Sequence, residues 1–408
     1  MTVQLAATAR PRVPETAMQG WMTLLLATAC GLIVANIYYA QPLIGLIGPA
    51  IGLGPAASSL IVTLTQLGYC AGLVFLAPLG DVVENRRLTL LTLGGATAAL
   101  GVAAVAPSAP WFLAAALAIG LGSVAVQMLV PIAAHLAPDA SRGRVVGNVM
   151  GGLLVGIMLA RPLASLVAHA FGWRALFGGS AVVMIGLAIA LRALLPQRRP
   201  AAEHSYPALI GSLWTLLRQT PVLRRRAAYQ ANLFAAFSLY WTAVPLELAG
   251  PAFGFTQRGI ALFALAGAAG AVAAPVAGRI ADRGWSRVAT GVSLVAVAAS
   301  FLLSRWGSTG SLAALLVAGV LLDLGVQANL VLGQRAIYGL GADARSRLNG
   351  LYMALFFGGG ALGSAIASPA YAAGGFALVS WVGLAFPVTA LLIYATEFIR
   401  PRRSAGKR

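Results

Sequence analysis

The chain has 408 residues, of which 59% are hydrophobic and only 9% are charged. A soluble globular domain carries about 25% charged residues, so this composition excludes a water-soluble protein and indicates a surface that faces lipid. The net charge of +18 would suggest a nucleic-acid partner in a soluble protein. Here the basic residues stand between long apolar segments, as in membrane loops beside anionic lipid, so we expect membrane lipid and no nucleic acid as a partner.

Apolar segments of about 20 residues, which span a membrane as a helix, recur along the chain. The first half predicts helices at 20–44, 58–80, 88–107, 110–136, 144–169 and 173–195. The second half predicts helices at 226–249, 257–281, 287–305, 309–338, 347–373 and 375–397. We expect an N-terminal six-helix bundle at 1–196 and a C-terminal one at 223–408. The basic stretch 197–222 predicts a cytoplasmic linker with a short amphipathic helix around Leu209 to Leu217.

Basic residues are concentrated on one side of the predicted helices. That side includes the tail at 400–408, whereas the loops on the other side carry only Arg174, Arg258 and Arg305. Cytoplasmic loops are enriched in Lys and Arg, so both termini are predicted to be cytoplasmic. Two termini on one side require an even number of helices, in agreement with twelve. The segment from Trp21 is long enough to span, which argues against a cleaved signal peptide.

The two halves repeat one another in sequence. Four matches, all at offsets between 200 and 203 residues, are Arg142-Gly-Arg144 with Arg345-Ser-Arg347, Val126-Gln127 with Val326-Gln327, Asp81 with Asp282, and Tyr38-Tyr39 with Tyr240-Trp241. Duplicated six-helix halves are typical of transporters, in which the substrate site lies between the halves near the middle of the membrane.

Two loops carry a family resemblance. Pro78-Leu-Gly-Asp81-Val-Val-Glu-Asn-Arg86-Arg87 resembles the signature between helices 2 and 3 of the major facilitator superfamily, and Gly278-Arg-Ile-Ala-Asp282-Arg283-Gly284 resembles its counterpart between helices 8 and 9. The resemblance extends over nearly the whole chain. It implies an all-α integral membrane fold of twelve transmembrane helices in two pseudo-symmetric six-helix bundles. The first loop departs from the usual pattern, because Ala77 replaces a common glycine and one extra residue separates Asp81 from the arginines.

The stretch Asn36-Ile-Tyr-Tyr-Ala-Gln41-Pro42 is similar to a branch of bacterial members described as efflux permeases. This resemblance implies a monomeric, multi-pass protein of the bacterial cytoplasmic (inner) membrane. The charged loops predict a conformational latch, because a carboxylate at a helix end can pair with arginines or with a neighbouring helix N-terminus in one arrangement of the halves. The predicted latch residues are Asp81, Arg86, Arg87, Asp282 and Arg283. The alternative is that they are solvated charges that set the topology.

Arg161 in helix 5 and Asp323 in helix 10 are predicted to lie inside the membrane, where a charge costs about 2.5–3.5 kcal/mol on insertion scales. The repeat aligns Asp323 with Ser123 and brings Arg161 near Ser364, so each charge occurs in one half only. We predict that Asp323 binds a coupling proton, since burial favours the protonated carboxyl. Arg161 stays charged and is predicted to bind an anionic substrate group or to modulate Asp323. The alternative is a static ion pair between them, and Glu247 is a rival carboxylate.

Polar and aromatic residues on other central helices are candidates for a substrate site. They are Asn36, Tyr39, Gln41, Gln127, Tyr240, Trp241, Gln327, Asn329 and Tyr352. The alternative for each is an interhelical hydrogen bond or an interfacial aromatic position. Two sets of glycines predict close helix packing, namely Gly151, Gly152 and Gly156, and Gly358 to Gly360 with Gly363.

Several absences restrict the function. The only lysine is Lys407, so the chain has no P-loop lysine. It has no His-Glu-x-x-His motif, and its three histidines, His135, His169 and His204, are not spaced as a metal site. We therefore expect no enzyme, no metal and no cofactor. The expected function is a secondary active transporter that moves a small organic molecule by alternating access, with proton-coupled efflux (antiport) preferred. The alternatives are proton-coupled uptake of a small anionic metabolite and a non-transporting membrane sensor or scaffold.

Overall fold

The structure, a computed structural model, describes residues 20–138, 140–199, 205–265, 267, 273–341 and 345–399. The basic tail at 400–408 and His204 of the linker lie outside these residues. The helices of the first half are α1 (Gly20–Ala35), α2 (Ile44–Ala50), α3 (Leu60–Ala71), α4 (Asn85–Val105), α5 (Ala109–Ser123), α6 (Ala125–Leu136), α7 (Arg142–Phe171) and α8 (Trp173–Leu194). Those that follow are α9 (Tyr206–Gln219), α10 (Pro221–Ala249), α11 (Gln257–Ala264), α12 (Ala273–Asp282), α13 (Ser286–Gly307), α14 (Leu312–Tyr338) and α15 (Arg345–Ile399).

Eight helical runs among the described residues are long and apolar enough to span a membrane. One of them, Arg345–Phe398, reverses direction at Gly374 and Gly375 and crosses twice. Gly375 has a φ of 61°, a left-handed conformation that favours glycine. The paired helices α1 and α2, helix α10, and the paired helices α11 and α12 complete twelve crossings, which we number in chain order. The predicted fold class is confirmed, and the predicted linker helix is present as α9.

Crossing 1 differs from the prediction of one continuous helix at 20–44. Helix α1 ends at Ala35, and a short gap precedes a 3-10 turn at Gln41–Leu43. The side-chain amide of Asn36 donates to the carbonyls of Leu32 and Ile33, both at 3.2 Å. A side chain that captures carbonyls in this way competes with the helical backbone bonds, and Pro42 has no N–H to continue the helix. Crossing 1 is therefore kinked near its middle.

The two halves pack in the same way. Within the first half α1 contacts α7, α3 contacts α5 and α4 contacts α8, and the equivalent pairs in the second half are α10 with the first arm of α15, α12 with α14, and α13 with the second arm of α15. Between the halves, α3 contacts the first arm of α15 and α7 contacts α11. The two inter-half contacts, crossing 2 with 11 and crossing 8 with 5, are equivalent to one another under the repeat, as a two-fold relation between the halves requires. The boundaries of the two domains at 196 and 223 stay a prediction.

Glycines set the close approach of the helices inside each half. A methyl group on Gly152 or Gly156 of α7 would lie 2.3 or 2.2 Å from a carbonyl oxygen of α1. In the second half, a methyl group on Gly359 or Gly363 of α15 would lie 2.1 or 1.9 Å from a carbonyl oxygen of α10. Small residues four apart allow such backbone contact between membrane helices.

The halves contact each other most closely at one end of the bundle. Crossings 2 and 11 run side by side there, and the contacts are Ser59 Oγ accepting from Ser368 N (3.3 Å) and the Thr63 and Ser364 hydroxyls (3.1 Å). We call this the closed end. Further from this end, Cys70 Sγ donates to the Ala354 carbonyl (3.2 Å). The opposite end carries the loops with Arg86, Arg142 and Arg345, and we call it the basic end.

Candidate functional site

Arg161 lies on α7 at the junction of the two halves and is only 4% exposed. Its Nε donates to Oε1 of Gln41 at 3.0 Å. Its guanidinium carbon lies 4.5 Å from the ring centroid of Trp241, 4.8 Å from that of Phe237 and 5.5 Å from that of Tyr38. The positive charge is therefore held mainly by aromatic faces, which attract a cation through their quadrupoles.

Asp323 lies on α14 and is also 4% exposed. The indole Nε1 of Trp241 donates to its Oδ1 at 2.7 Å. The predicted alternative of a direct ion pair is wrong for this structure, because the only salt bridges among the described residues lie elsewhere and Arg161 meets Trp241 rather than Asp323. One tryptophan therefore contacts both buried charges, by its N–H on one side and its ring face on the other.

Gln41 completes what we call the charged cluster, which consists of Gln41, Arg161, Trp241 and Asp323. Its Nε2 donates to Oγ1 of Thr242 at 3.3 Å, so that the cluster joins crossings 1 and 5 to crossings 7 and 10. Nη2 of Arg161 is buried and has no hydrogen-bond partner among the described residues. Buried polar groups are nearly always satisfied, so this nitrogen is a donor available to a further group.

A cavity of about 560 Å³ lies between the halves at the basic end. Asp81, Gln127 and Arg198 line it from the first half and linker, and Arg345 and Arg347 line it from crossing 11. Arg161 and Asp323 do not line this cavity. In the structure the charged cluster is therefore separate from the lining of this cavity.

Aromatic rings connect the cavity to the cluster. Gln127 in the cavity wall donates to the hydroxyl of Tyr69 at 2.9 Å, and the Tyr69 ring lies 4.4 Å from that of Phe357. The chain of rings continues through Phe234, 5.3 Å from Phe357 and 5.1 Å from Phe237, to the ring beneath Arg161. We call Tyr69, Phe234, Phe237 and Phe357 the aromatic layer. It stands between the cavity and the charged cluster.

The latch role of the predicted loop residues stays a prediction, and the structure shows which groups each of them contacts. Arg86 does not meet Asp81, because its Nη1 donates to the carbonyls of Arg192 and Leu195 at 3.1 and 3.2 Å. Cations at a helix C-terminus satisfy free carbonyls in this way, so Arg86 secures the end of α8. Arg87 also stays away from Asp81, and its backbone N–H donates to Glu84 at 2.9 Å.

Asp81 instead faces arginines of the cavity wall. Arg347 of crossing 11 and Arg198 of the linker act electrostatically on its carboxylate. In the second half Asp282 pairs with Arg335 of α14 rather than with the neighbouring Arg283, which is exposed. The carboxylates lie where the repeat predicts, but their partners come from other crossings.

Comparison with known proteins assigns the family. The sequence profile of the Major Facilitator Superfamily matches residues 24–306. The chain belongs to this superfamily. A transporter of Escherichia coli O157:H7 named YgaY is 42% identical over 95% of this chain and 98% of its own length. SCO4007 of Streptomyces coelicolor, also named as a transporter, is 37% identical over 90% of this chain and 86% of its own length.

Solved structures of transporters share the superfamily fold. The nucleoside transporter NupG superposes with a TM-score of 0.73 at 14% identity, covering 93% of this chain and 99% of its own. A bacterial homologue of the human lysosomal transporter Spinster superposes with a TM-score of 0.69 at 14% identity, covering 93% of this chain and 96% of its own. These two likenesses concern the fold alone. The family match and the named relatives show that the protein is a membrane transporter and not an enzyme.

Several predicted substrate-binding residues of this superfamily member form contacts inside the second half. The Tyr240 hydroxyl donates to the Leu315 carbonyl at 2.6 Å, and Asn329 donates to Gln230 at 2.6 Å. Tyr352 is fully buried against Gly333. These contacts tie α10, α14 and α15 together, as interhelical hydrogen bonds and packing do in membranes.

The remaining predicted residues are spread over the bundle. Asn36 accepts from Ser180 of α8 at 2.6 Å and so lies inside the first half. Tyr39 is buried and Gln327 is half-buried. Glu247 accepts from the Tyr371 hydroxyl at 3.1 Å, away from Asp323. Of the residues predicted to bind substrate or protons, Gln41, Arg161, Trp241 and Asp323 come together in the charged cluster.

Sequence reasoning missed two neighbours of Arg161, Tyr38 and Phe237. Tyr38 belongs to the same motif as Tyr39, and it is the tyrosine whose ring lies beside Arg161 of α7. Phe237 is four residues before Trp241 on α10, so a helical reading of the face that carries Trp241 would have found it.

Proposed function

We propose that this superfamily transporter couples the movement of a small organic molecule to protons, and that Asp323 is the residue that binds the proton. The observation that supports the proposal is the burial of Asp323 beside Trp241 and Arg161 at the junction of the halves. A carboxylate kept in the membrane interior is costly unless it is paired or functional. Here its contact is a neutral indole, which leaves it able to exist in either protonation state.

The proposed mechanism uses the two ends of the bundle in turn. In this structure the closed end is sealed and the cavity lies at the basic end. Arg161 belongs to the first half and Asp323 to the second, so separating the halves at the closed end separates the charges. Protonation of Asp323 removes the attraction between them and lowers the cost of that separation, which shifts the equilibrium between the two arrangements.

The proposed topology places the basic end in the cytoplasm of a bacterium, with the protein in the cytoplasmic membrane and both termini inside. The support is the excess of arginine at that end, since cytoplasmic loops carry the positive charge. In cells with Cys30 and Cys70 replaced by alanine, Ser141→Cys should resist a membrane-impermeant thiol reagent and Thr256→Cys should react with it. The reverse labelling would overturn the topology.

The coupling proposal is tested with purified protein in vesicles, after a panel of compounds has identified a transported one. We expect Asp323→Asn to reduce the accumulation driven by a pH gradient by about tenfold or more. Exchange of substrate without a gradient should persist. Glu247→Gln is the matched control, because this carboxylate contacts Tyr371 outside the cluster. The proposal fails if Asp323→Asn keeps gradient-driven accumulation, or if Glu247→Gln alone loses it.

Efflux by proton antiport is the proposed direction, in keeping with the motif from Asn36 to Pro42. A second candidate is proton-coupled uptake of a small anionic metabolite, and the unpartnered Nη2 of Arg161 favours it, because such a donor matches a carboxylate or phosphate oxygen. The sidedness of gradient-driven transport in right-side-out and inverted vesicles decides between them. Uptake of anions that is lost in Arg161→Gln would establish the second candidate.

A further inference from the structure

An apolar groove of about 420 Å³ opens on the surface of the second half between α12, α13 and α14. Its exposed wall residues are large and apolar, with Val276 at 45%, Trp285 at 65%, Val288 at 60% and Val292 at 63% exposure. On α13 the lining positions recur every three or four residues from Trp285 to Ser293, so they share one face of the helix. This part of α13 is about 12 Å long, which suits the upper part of an extended acyl chain.

Arginines stand where the groove approaches the basic end. Arg283 lies in the turn two residues before Trp285, and Arg279 lies on α12 between the lining residues Ala277 and Ile280. Both are exposed. The carboxylate of α12, Asp282, is paired with Arg335, and no acidic side chain in the described part of the chain pairs with Arg279 or Arg283. The mouth of the groove therefore carries uncompensated positive charge.

The first half does not carry these residue types at the matching positions. Asp282 and Asp81 are 201 residues apart. At the same offset, the positions equivalent to Arg279, Arg283 and Trp285 are Pro78, Val82 and Glu84. The first half thus has neither an arginine pair nor an indole at this place, although Arg283 itself belongs to the loop that resembles the superfamily signature. The combination of basic mouth and apolar groove is particular to the second half.

We propose that this groove binds an anionic phospholipid, with one acyl chain along α13 and the phosphate held by Arg279 and Arg283. Guanidinium groups bind phosphate through charge-assisted and often bidentate hydrogen bonds. Basic pockets between membrane helices are typical sites of anionic headgroups, and an indole such as Trp285 suits the level of the headgroups. The occupant is a lipid rather than a soluble anion, because the aliphatic walls require a hydrocarbon chain to cover them.

The fluorescence of Trp285 reports the occupant directly. Purified full-length protein is reconstituted in mixed vesicles of phosphatidylcholine and phosphatidylglycerol, with bromine on the acyl chains of one lipid or the other. Bromine quenches nearby indoles, and the contribution of Trp285 is the difference between the protein and its Trp285→Phe variant. At equal mole fraction, we expect brominated phosphatidylglycerol to quench this contribution on the order of fivefold more effectively, as expected for arginines beside an anionic headgroup.

Three variants separate a specific site from bulk lipid. The double variant Arg279→Gln with Arg283→Gln should lose the preference for phosphatidylglycerol. Arg305→Gln, next to Trp306 at the opposite end of the same helix, is the matched control and should retain it. Ala289→Phe, which fills the groove, should reduce quenching of Trp285 by both lipids. Equal quenching by the two lipids in the unchanged protein, or a preference that survives in the double variant, would overturn the proposal.

Discussion

Trp241 is the side chain through which the two buried charges act on each other. Its N–H bonds to Asp323 at 2.7 Å and its ring centroid lies 4.5 Å from the guanidinium carbon of Arg161. A hydrogen bond to a charged group contributes about 1.5–3 kcal/mol, and a desolvated cation–π contact contributes about 2 kcal/mol. A change of charge on Asp323 therefore alters the hydrogen bond that holds the Trp241 indole. Because the indole also contacts Arg161 of the first half, the change acts on the contact between the halves.

Replacing Trp241 by phenylalanine separates these two contacts. Trp241→Phe keeps an aromatic face for Arg161 but removes the donor to Asp323. Because the lost hydrogen bond favoured the charged carboxylate, we expect the midpoint of the pH profile of transport to move to higher pH by about one unit. The measurement is transport rate against pH in vesicles.

The neighbouring aromatic residue provides the control for that variant. Tyr240→Phe removes a hydroxyl that bonds to the Leu315 backbone and not to Asp323, so the midpoint should stay in place. A midpoint that moves equally in both variants, or that does not move in Trp241→Phe, would show that the indole N–H has no part in proton binding.

The sequence identified the two buried charges but not the side chain that connects them. Arg161 and Asp323 could be found because a charge inside an apolar helix is costly and therefore informative. Their shared contact with Trp241 could not be found, since it depends on how α7, α10 and α14 meet. Tyr38 was not singled out in the sequence although its ring lies 5.5 Å from the Arg161 guanidinium carbon, and the substrate-binding role of Tyr39 stays a prediction.

Among the elements, the glycine faces of α7 and α15 fix the distance between helices within each half. Gly152 and Gly156 meet α1, and Gly359 and Gly363 meet α10, at the same spacing of four residues. Their sequence spacing alone predicted close packing. Gly151 and Gly358, which were predicted with them, face open space, because only one side of each helix meets a partner.

The effect of these faces on stability can be measured with one pair of variants. Gly363→Ala places a methyl group 1.9 Å from the Ala235 carbonyl oxygen, and we expect it to destabilise the protein by about 1–3 kcal/mol. Gly358→Ala on the same helix meets nothing within 4 Å and should be neutral or slightly stabilising, since alanine favours the helix.

The measurement is thermal unfolding in detergent, followed with a thiol-reactive dye that labels Cys30 as it becomes exposed. Cys30 is fully buried in the folded protein. A lower unfolding midpoint for Gly363→Ala than for Gly358→Ala is expected. Equal midpoints would contradict the close contact between α10 and α15.

Loop charges were the elements least accessible to sequence reasoning. The repeat located Asp81 and Asp282 at equivalent places, but it did not identify the arginine that each carboxylate would meet. In the structure the partners come from other crossings, as with Arg335 for Asp282. A loop side chain reaches several helix ends, so its partner is decided by the packing of the bundle and not by its own segment.

At the scale of the whole molecule, the structure is closed at one end and holds a cavity at the other. The closed end depends on small neutral groups, of which the Thr63 and Ser364 hydroxyls at 3.1 Å are one pair. Such hydrogen bonds contribute about 1 kcal/mol each. An interface of this kind can be broken and formed again without separating strong ion pairs.

A disulfide at the closed end should hold the molecule in this arrangement. In a background with Cys30→Ala and Cys70→Ala, the pair Thr63→Cys and Ser364→Cys has suitable geometry for a disulfide, because the native hydroxyls are in contact. We expect oxidation to reduce transport in vesicles to background and a reducing agent to restore it.

Thr65→Cys with Ser364→Cys is the matched control for that experiment. The Thr65 hydroxyl bonds to the Ile61 carbonyl of its own helix, and its backbone lies against Gly120 of α5, so this pair should not cross-link. If the oxidised Thr63–Ser364 variant transports at the full rate, the closed end does not need to open during transport.

The abrupt reversal at Gly374 and Gly375 couples the movements of crossings 11 and 12. Crossing 11 touches the opposite half, whereas crossing 12 is fastened to α13, for example by Ser380 on Ser304 at 3.0 Å. Two residues give no slack between these arms, so crossing 11 cannot tilt alone. If the closed end opens as proposed, we expect crossing 12 to move with crossing 11 through the surrounding lipid, so that a more viscous bilayer lowers the turnover rate.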